Sequence, residues 1–316
     1  MIKRLFLTGM ISALLTTQAF AFWIWTPETN RWINPKYAVK DTPKLQLEYS
    51  LEFYEQKDFK KAMAELQKLI AHYPKAREAA EAQYYIGLCR EGLGEPYKAV
   101  KDYQVVIEKY PFSERAPEIV KRQYELGESL MEGAAEKKGF VATIIGGDYD
   151  VIDVFRTVIR NAPYGPYAAP AQYKIGLYLQ EKQLYQEARD EFEKTINDYP
   201  ESEWASAAKY QIALSDAKRS ADAQYSQKVT KAAVEEFKHF VKENPDAELS
   251  QKAKDHINSL REKEAENSFI IAEYYEKRKQ YESAKIYYSS IISDYDNTTW
   301  ASKALERLQS IGKQVK

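Results

Sequence analysis

Cys89, His72, His239 and His256 are the only thiol and imidazole side chains in the 316-residue chain, so any thiolate or imidazole chemistry must start from them. A single cysteine rules out an internal disulfide and a thiolate cluster for zinc. It stands in the stretch "AQYYIGLCR", where a small buried apolar residue is the ordinary reading. His239 lies four residues from both Glu235 and Glu243, so a helix would carry all three on one face. That triplet could hold a divalent cation, but the same spacing is the usual pattern of ion pairs on a solvated helix. There is no phosphate-cradling GxxxxGK, no GxSxG nucleophile turn and no HExxH. Carboxylate pairs identify nothing among 47 acidic residues, and the 46 basic ones leave a net charge of −1, without the field that gathers nucleic acid or an anionic membrane. The expectation is a non-enzyme with no metal, no cofactor and no nucleic-acid partner.

If the chain does not react, its side chains must hold something in place. Only 12 Gly and 12 Pro, with abundant Ala, Glu, Lys and Gln, favour an all-α fold. The first residues have a separate purpose. Lys3 and Arg4 precede an apolar run from Leu5 to Leu15, and Ala19-Phe20-Ala21 offers the small-x-small pattern of a cleaved leader. Residues 1–21 are therefore read as a signal peptide, with processing before Phe22 and export to the periplasm. The run is shorter than the roughly 20 residues a membrane helix needs. Cys89 stands 67 residues past the expected mature start, so a lipid anchor on it is not supported.

One helical period organises the rest. Small residues Ala62, Ala99, Val151, Ala188, Ala233 and Ala284 are each followed four residues later by Leu66, Tyr103, Phe155, Phe192, Phe237 and Tyr288. Twelve residues after the small ones stand Pro74, Pro111, Pro163, Pro200, Pro245 and, as the exception, Asp296; before them stand Ser50, Gly87, Gly127, Gly176, Ala213 and Ala272, twelve residues ahead except where insertions lengthen the third and fifth repeats between Gly127 and Val151 and between Ala213 and Ala233. Proline ends a helix because it lacks an N–H and disfavours helix in the residue before it. These four columns are the tetratricopeptide (TPR) pattern, in which each helical hairpin buries its apolar face only against its neighbours. The expected architecture is a solenoid of six hairpins over residues 43–298, preceded by an extended Trp/Pro-rich segment at 22–42 and closed by a capping helix at 299–316. Trp300, Ala304, Leu305 and Leu308 are expected to face inward on that cap. Between Ala247 and Lys279 no Pro or Gly interrupts a helix-favouring stretch, which predicts one long helix or two end to end.

The segment from about Ala233 resembles the outer-membrane β-barrel assembly lipoprotein BamD and its relatives. The residues that carry the likeness are "AVEEFKHFVKENPDAE", "REKEAENSFIIAEYYEKRKQYESAKIYYSSIISDY" and "ASKALERL", with Ala272-Glu273-Tyr274-Tyr275, Tyr281 and Ala284 filling the family's pattern. The "YP" repeat ends at Tyr73-Pro74, Tyr110-Pro111 and Tyr199-Pro200 extend it over roughly residues 43 to 310. The resemblance implies a periplasmic partner of the barrel-inserting outer-membrane protein, associated with the outer membrane through other envelope proteins. The family's lipidated cysteine after the leader has no counterpart here, and the array is longer. Periplasmic TPR proteins that coordinate envelope synthesis with division share the A-x-Y-x-(I/L)-G pattern and are the alternative.

Two sets of residues are candidates for partner contact. The fifth position of each first helix reads Leu47, Tyr84, Tyr124, Tyr173, Tyr210 and Phe269, and the aromatics from Tyr84 to Phe269 either line the concave groove or pack between first helices. Trp23, Trp25 and Trp32 in "FWIWTPETNRWINPKY" either cover the first repeat or form a docking strip. The insertion at 139–147, "GFVATIIGG", is open between a packed connector and a contact loop.

Overall fold

The computed structural model describes residues 24–26, 31–33, 38–136, 147–222, 227–245 and 248–314. The expected leader, Trp23 and the insertion at 139–146 lie outside them. Chain contacts divide the protein into two units, Met1–Gly94 and Glu95–Lys316.

The first unit holds a two-stranded antiparallel ribbon, β1 (Ile24–Thr26) and β2 (Arg31–Ile33), in which Trp25 faces Trp32. Three helices follow: α1 (Pro43–Glu55), α2 (Phe59–His72) and α3 (Arg77–Gly92). Thr42 accepts the Leu45 N–H and Pro43 opens α1 where no amide partner is needed; Asp58 caps α2 in the same way through the Lys61 N–H. Ala62, Leu66 and Leu69 of α2 are fully buried, as are Ala79, Ala82 and Cys89 of α3. Burial pushes the Cys89 thiol up to about 12 despite the nearby Arg90 charge, which leaves it without thiolate character.

The second unit contains ten helices among the described residues. They are α4 (Pro96–Lys109), α5 (Ala116–Glu136), α6 (Gly147–Asn161), α7 (Ala168–Glu181), α8 (Tyr185–Asp198), α9 (Glu203–Asp222), α10 (Gln227–Glu243), α11 (Glu248–Lys277), α12 (Tyr281–Asp294) and α13 (Thr299–Gln314). The all-α TPR class holds, and the stretch after Ala247 is a single 30-residue helix, about 45 Å long at 1.5 Å per residue. The small and large columns meet where two helices of a hairpin cross. A methyl group added at Gly176 would come within 2.5 Å of the Phe192 ring, and one at Gly127 within 2.8 Å of Phe155.

Two turns recur. Within hairpins, Lys57, Gln183 and Lys279 adopt left-handed φ of 61°, 64° and 60°, each five residues before its small Ala. In each the following amide reaches back to the helix, as in Leu184 N–H to Leu179 O at 3.0 Å, a Schellman ending whose two bonds offset the cost of left-handed geometry without glycine. Between repeats, Tyr73, Tyr110, Tyr199 and Tyr295 cap the second helix. Their carbonyls each accept the N–H three residues on, at 2.9–3.1 Å. Ser202 and Thr298 then turn their hydroxyls onto the N–H of Ala205 and Ala301 to start the next helix.

The final helix departs from expectation at one residue. Ala304 is buried and Trp300 and Leu308 pack on the core with Ile311, but Leu305 is 47% exposed. It is one step, about 100°, round the helix from Ala304, and Ile311 takes the inward place.

Candidate partner-binding surfaces

The fifth-position aromatics are core. Tyr84, Tyr124, Tyr173, Tyr210 and Phe269 retain 2–9% of their surface, and Leu47 is half-buried, so the groove assignment is corrected. In the second unit each ring lies between an aromatic of its own hairpin and a ring of the next first helix. Tyr173 meets Phe192 at 5.5 Å and Trp204 at 5.1 Å; Phe269 meets Tyr288 at 5.3 Å and Trp300 at 5.0 Å. Tyr124 sits likewise between Phe155 and Tyr167, and Tyr210 between Phe237 and His256. Burial raises the phenols of Tyr124, Tyr173 and Tyr210 above the ordinary range.

A second column is polar and so carries no apolar period. The residue before three of the aromatics is Gln83, Gln123 and Gln172, and Gln46 precedes Leu47; all four are buried, while Lys209 and Ser268 precede Tyr210 and Phe269. The Gln172 amide donates to the Glu191 backbone carbonyl at 3.2 Å and to its carboxylate at 2.6 Å, and Gln46 repeats both bonds on Glu65 at 3.1 Å. Burial pushes the Glu191 carboxyl up, but hydrogen bonds from Lys194 and Gln172 and the charges of Lys194 and Arg156 bring it below its ordinary value. The signal for this pairing is the shared separation of 19 residues from Gln46 to Glu65 and from Gln172 to Glu191, while the Gln123 amide reaches the Val100 carbonyl and the Gln104 side chain.

Charges gather where α8, α9 and α10 pack. Asp216 is buried between Arg189, at 3.4 Å, and Arg219, at 3.0 Å, while Arg189 also reaches Glu236 at 3.3 Å and Glu193 at 2.9 Å. Three carboxylates thus share two guanidinium groups. Burial and the Asp216 charge raise the Glu236 carboxyl above its ordinary value, with Arg189 opposing, and its Oε2 is buried without a partner. A carboxyl raised on folding adds stability below its unfolded pKa and loses it as pH climbs through the folded value. Glu236→Gln is therefore expected to be more stable than the parent at pH 8, by about 0.5–1.5 kcal/mol, with the difference vanishing below about pH 4. Thermal melts at the two pH values check this, and a less stable variant at pH 8 would mean that the pairing with Arg189 dominates.

His239 is no ligand site in this arrangement. It is 68% exposed and 3.6 Å from Glu243, while Lys238 pairs with Glu235 at 2.8 Å and Lys209 with Glu243 at 2.7 Å. Among the described residues no group of three or more His, Cys, Asp or Glu could hold a metal ion.

Apolar surface stays open elsewhere. In the first unit Trp25 and Trp32 lie 5.6 Å apart and are 42% and 62% exposed; Trp23, the third candidate, lies outside the described residues. In the second, Ile270 and Tyr274 stand one turn apart on the outer face of α11, half-exposed, with Arg278 over the Tyr274 ring at 4.4 Å. Phe112 and Tyr164, each directly after a repeat-ending proline, are 98% exposed.

The family model of the YfiO outer membrane lipoproteins matches residues 150–316, more than half of the chain and the whole of α7 to α13. The chain belongs to the YfiO family. A tetratricopeptide-repeat model matches residues 53–76 and 81–113, so TPR repeats extend beyond the YfiO region into α2, α3 and α4. Comparison with curated protein sequences finds no match. Among solved structures the chain is similar to the C-terminal part of a TPR repeat-containing protein from Cytophaga hutchinsonii, at 16% identity over 84% of this chain and 88% of that one, with a TM-score of 0.39. It is similar also to a tetratricopeptide repeat protein from Parabacteroides merdae, at 14% identity over 85% and 98% of the two chains, TM-score 0.35. A thermophilic TPR protein from Thermus thermophilus aligns at 12% identity over 69% and 98%, TM-score 0.35. Among the described residues, no helix of this YfiO-family chain is long and apolar enough to cross a membrane.

Proposed function

We propose that this YfiO-family chain is an exported TPR scaffold that holds partner proteins during assembly of outer-membrane β-barrels, working by binding rather than by catalysis. The observation that carries the reading is the YfiO match over residues 150–316, which covers the helix bearing the open Ile270–Tyr274 stripe. Residues on one helical face, a turn apart, suit a partner helix or a domain edge, and an aromatic beside an aliphatic is the usual make-up of an interface anchor. The polar rim is present too, since Glu273 and Lys277 pair on the same helix at 3.9 Å.

Placing a photo-crosslinking amino acid at position 270 in intact cells tests this directly. The expected adduct is with the barrel-inserting outer-membrane protein, lost when Tyr274 is replaced by Asp. Adducts with peptidoglycan synthases or division proteins would instead make the chain a coordinator of envelope synthesis, and the barrel-assembly role would fall.

A further inference from the structure

The turns that end the third and fourth repeats flank an open surface cleft of about 650 Å³. Each turn is closed by one backbone bond, Gly165 N–H to Ala162 O at 3.0 Å and Ser202 N–H to Tyr199 O at 3.1 Å. Tyr164 and Pro166 form one wall, and Tyr199, Pro200 and Trp204 the other. Tyr164 is 98% exposed, so packing of the repeats makes no use of its ring. The Tyr199 hydroxyl is raised by burial and by the charges of Asp198 and Tyr164, which puts the two phenols within electrostatic reach. Asp198, Glu201 and Glu203 line the same cleft, and no Lys, Arg or His does.

We propose that this cleft binds an extended, proline-rich segment of a partner protein that carries Arg or Lys beside its prolines. Aromatic rings set apart by prolines leave shallow slots that fit pyrrolidine rings, and a polyproline II segment enters them with little conformational entropy left to lose. Such a segment has no internal hydrogen bonds, so its carbonyls are free to accept from the phenols of Tyr164 and Tyr199. The three carboxylates, unopposed by any lining cation, select a basic segment over an acidic one and steer its approach.

The test is fluorescence anisotropy of the full mature chain with a short fluorescein-labelled peptide of repeating Arg-Pro-Pro. Saturable binding is expected, weakened about tenfold or more when the peptide repeats Arg-Ala-Ala or Glu-Pro-Pro, a loss of about 1.4 kcal/mol. Tyr164→Ala and Glu201→Lys should each cost a similar factor while leaving the melting curve unchanged, because these side chains are exposed. Equal binding of Arg-Ala-Ala would reduce the effect to charge attraction and overturn the proposal. So would parent-like affinity in Tyr164→Ala, or the absence of saturable binding by Arg-Pro-Pro.

Discussion

Tyr173→Ala is expected to lower the stability of the second unit by about 3–5 kcal/mol, the range for truncating a buried aromatic. The ring contacts Phe192 and Trp204 and its hydroxyl accepts a hydrogen bond from the Gln211 side chain at 3.1 Å, so the change opens a cavity and strands a donor together. Because Trp204 belongs to the next repeat, the loss should appear as a shift of the whole cooperative transition, with no separate early step. Guanidinium melts followed by helical circular dichroism measure it. A loss below about 1 kcal/mol would mean that the column is free surface and would reopen it as a binding groove.

Gly176→Leu is expected to cost about 3 kcal/mol or more, at the upper end of overpacking penalties. The sign follows from a competition. Replacing glycine in mid-helix gains about 1 kcal/mol of helix propensity. Against that, a Cβ alone would lie 2.5 Å from Phe192, a fully buried ring on α8 with no room to retreat. The double variant Gly176→Leu with Phe192→Ala should be markedly more stable than the sum of the two single changes, since the leucine occupies volume the ring vacates. Additive losses would show that the two positions do not share a contact.

These two results bear on what could be read in advance. The crossing of paired helices was legible because geometry leaves few choices there: Gly127 and Gly176 must be small for Phe155 and Phe192 to close over them. The aromatic column was ambiguous because a ring facing a groove and a ring covered by the next repeat recur with the same period. What decides between them is Tyr167, Trp204 or Trp300, each belonging to the following helix. Leu305 was misplaced for a related reason, as an apolar residue beside Ala304 looks inward until the neighbour is in view. The Gln–Glu pairs leave no trace in apolar periodicity, and their mark is polar: Gln46 and Gln172 each stand 19 residues before the glutamate they bind. The cleft was not legible at all. Its walls come from turns at Pro163 and Pro200, 37 residues apart, and only stacking brings them together.

The turn between repeats has a consequence for how such a chain can change. Its backbone bond joins the residue before the proline to one two places after it, and the residue directly after the proline is left out of every structural requirement. At that place the protein carries Lys75, Phe112, Tyr164 and Glu201, four unlike side chains in one unchanging frame. Substitutions there leave the hairpin crossings untouched. The turn tips can therefore vary in chemistry without loss of folding, so that fold stability and surface contact are set at separate positions.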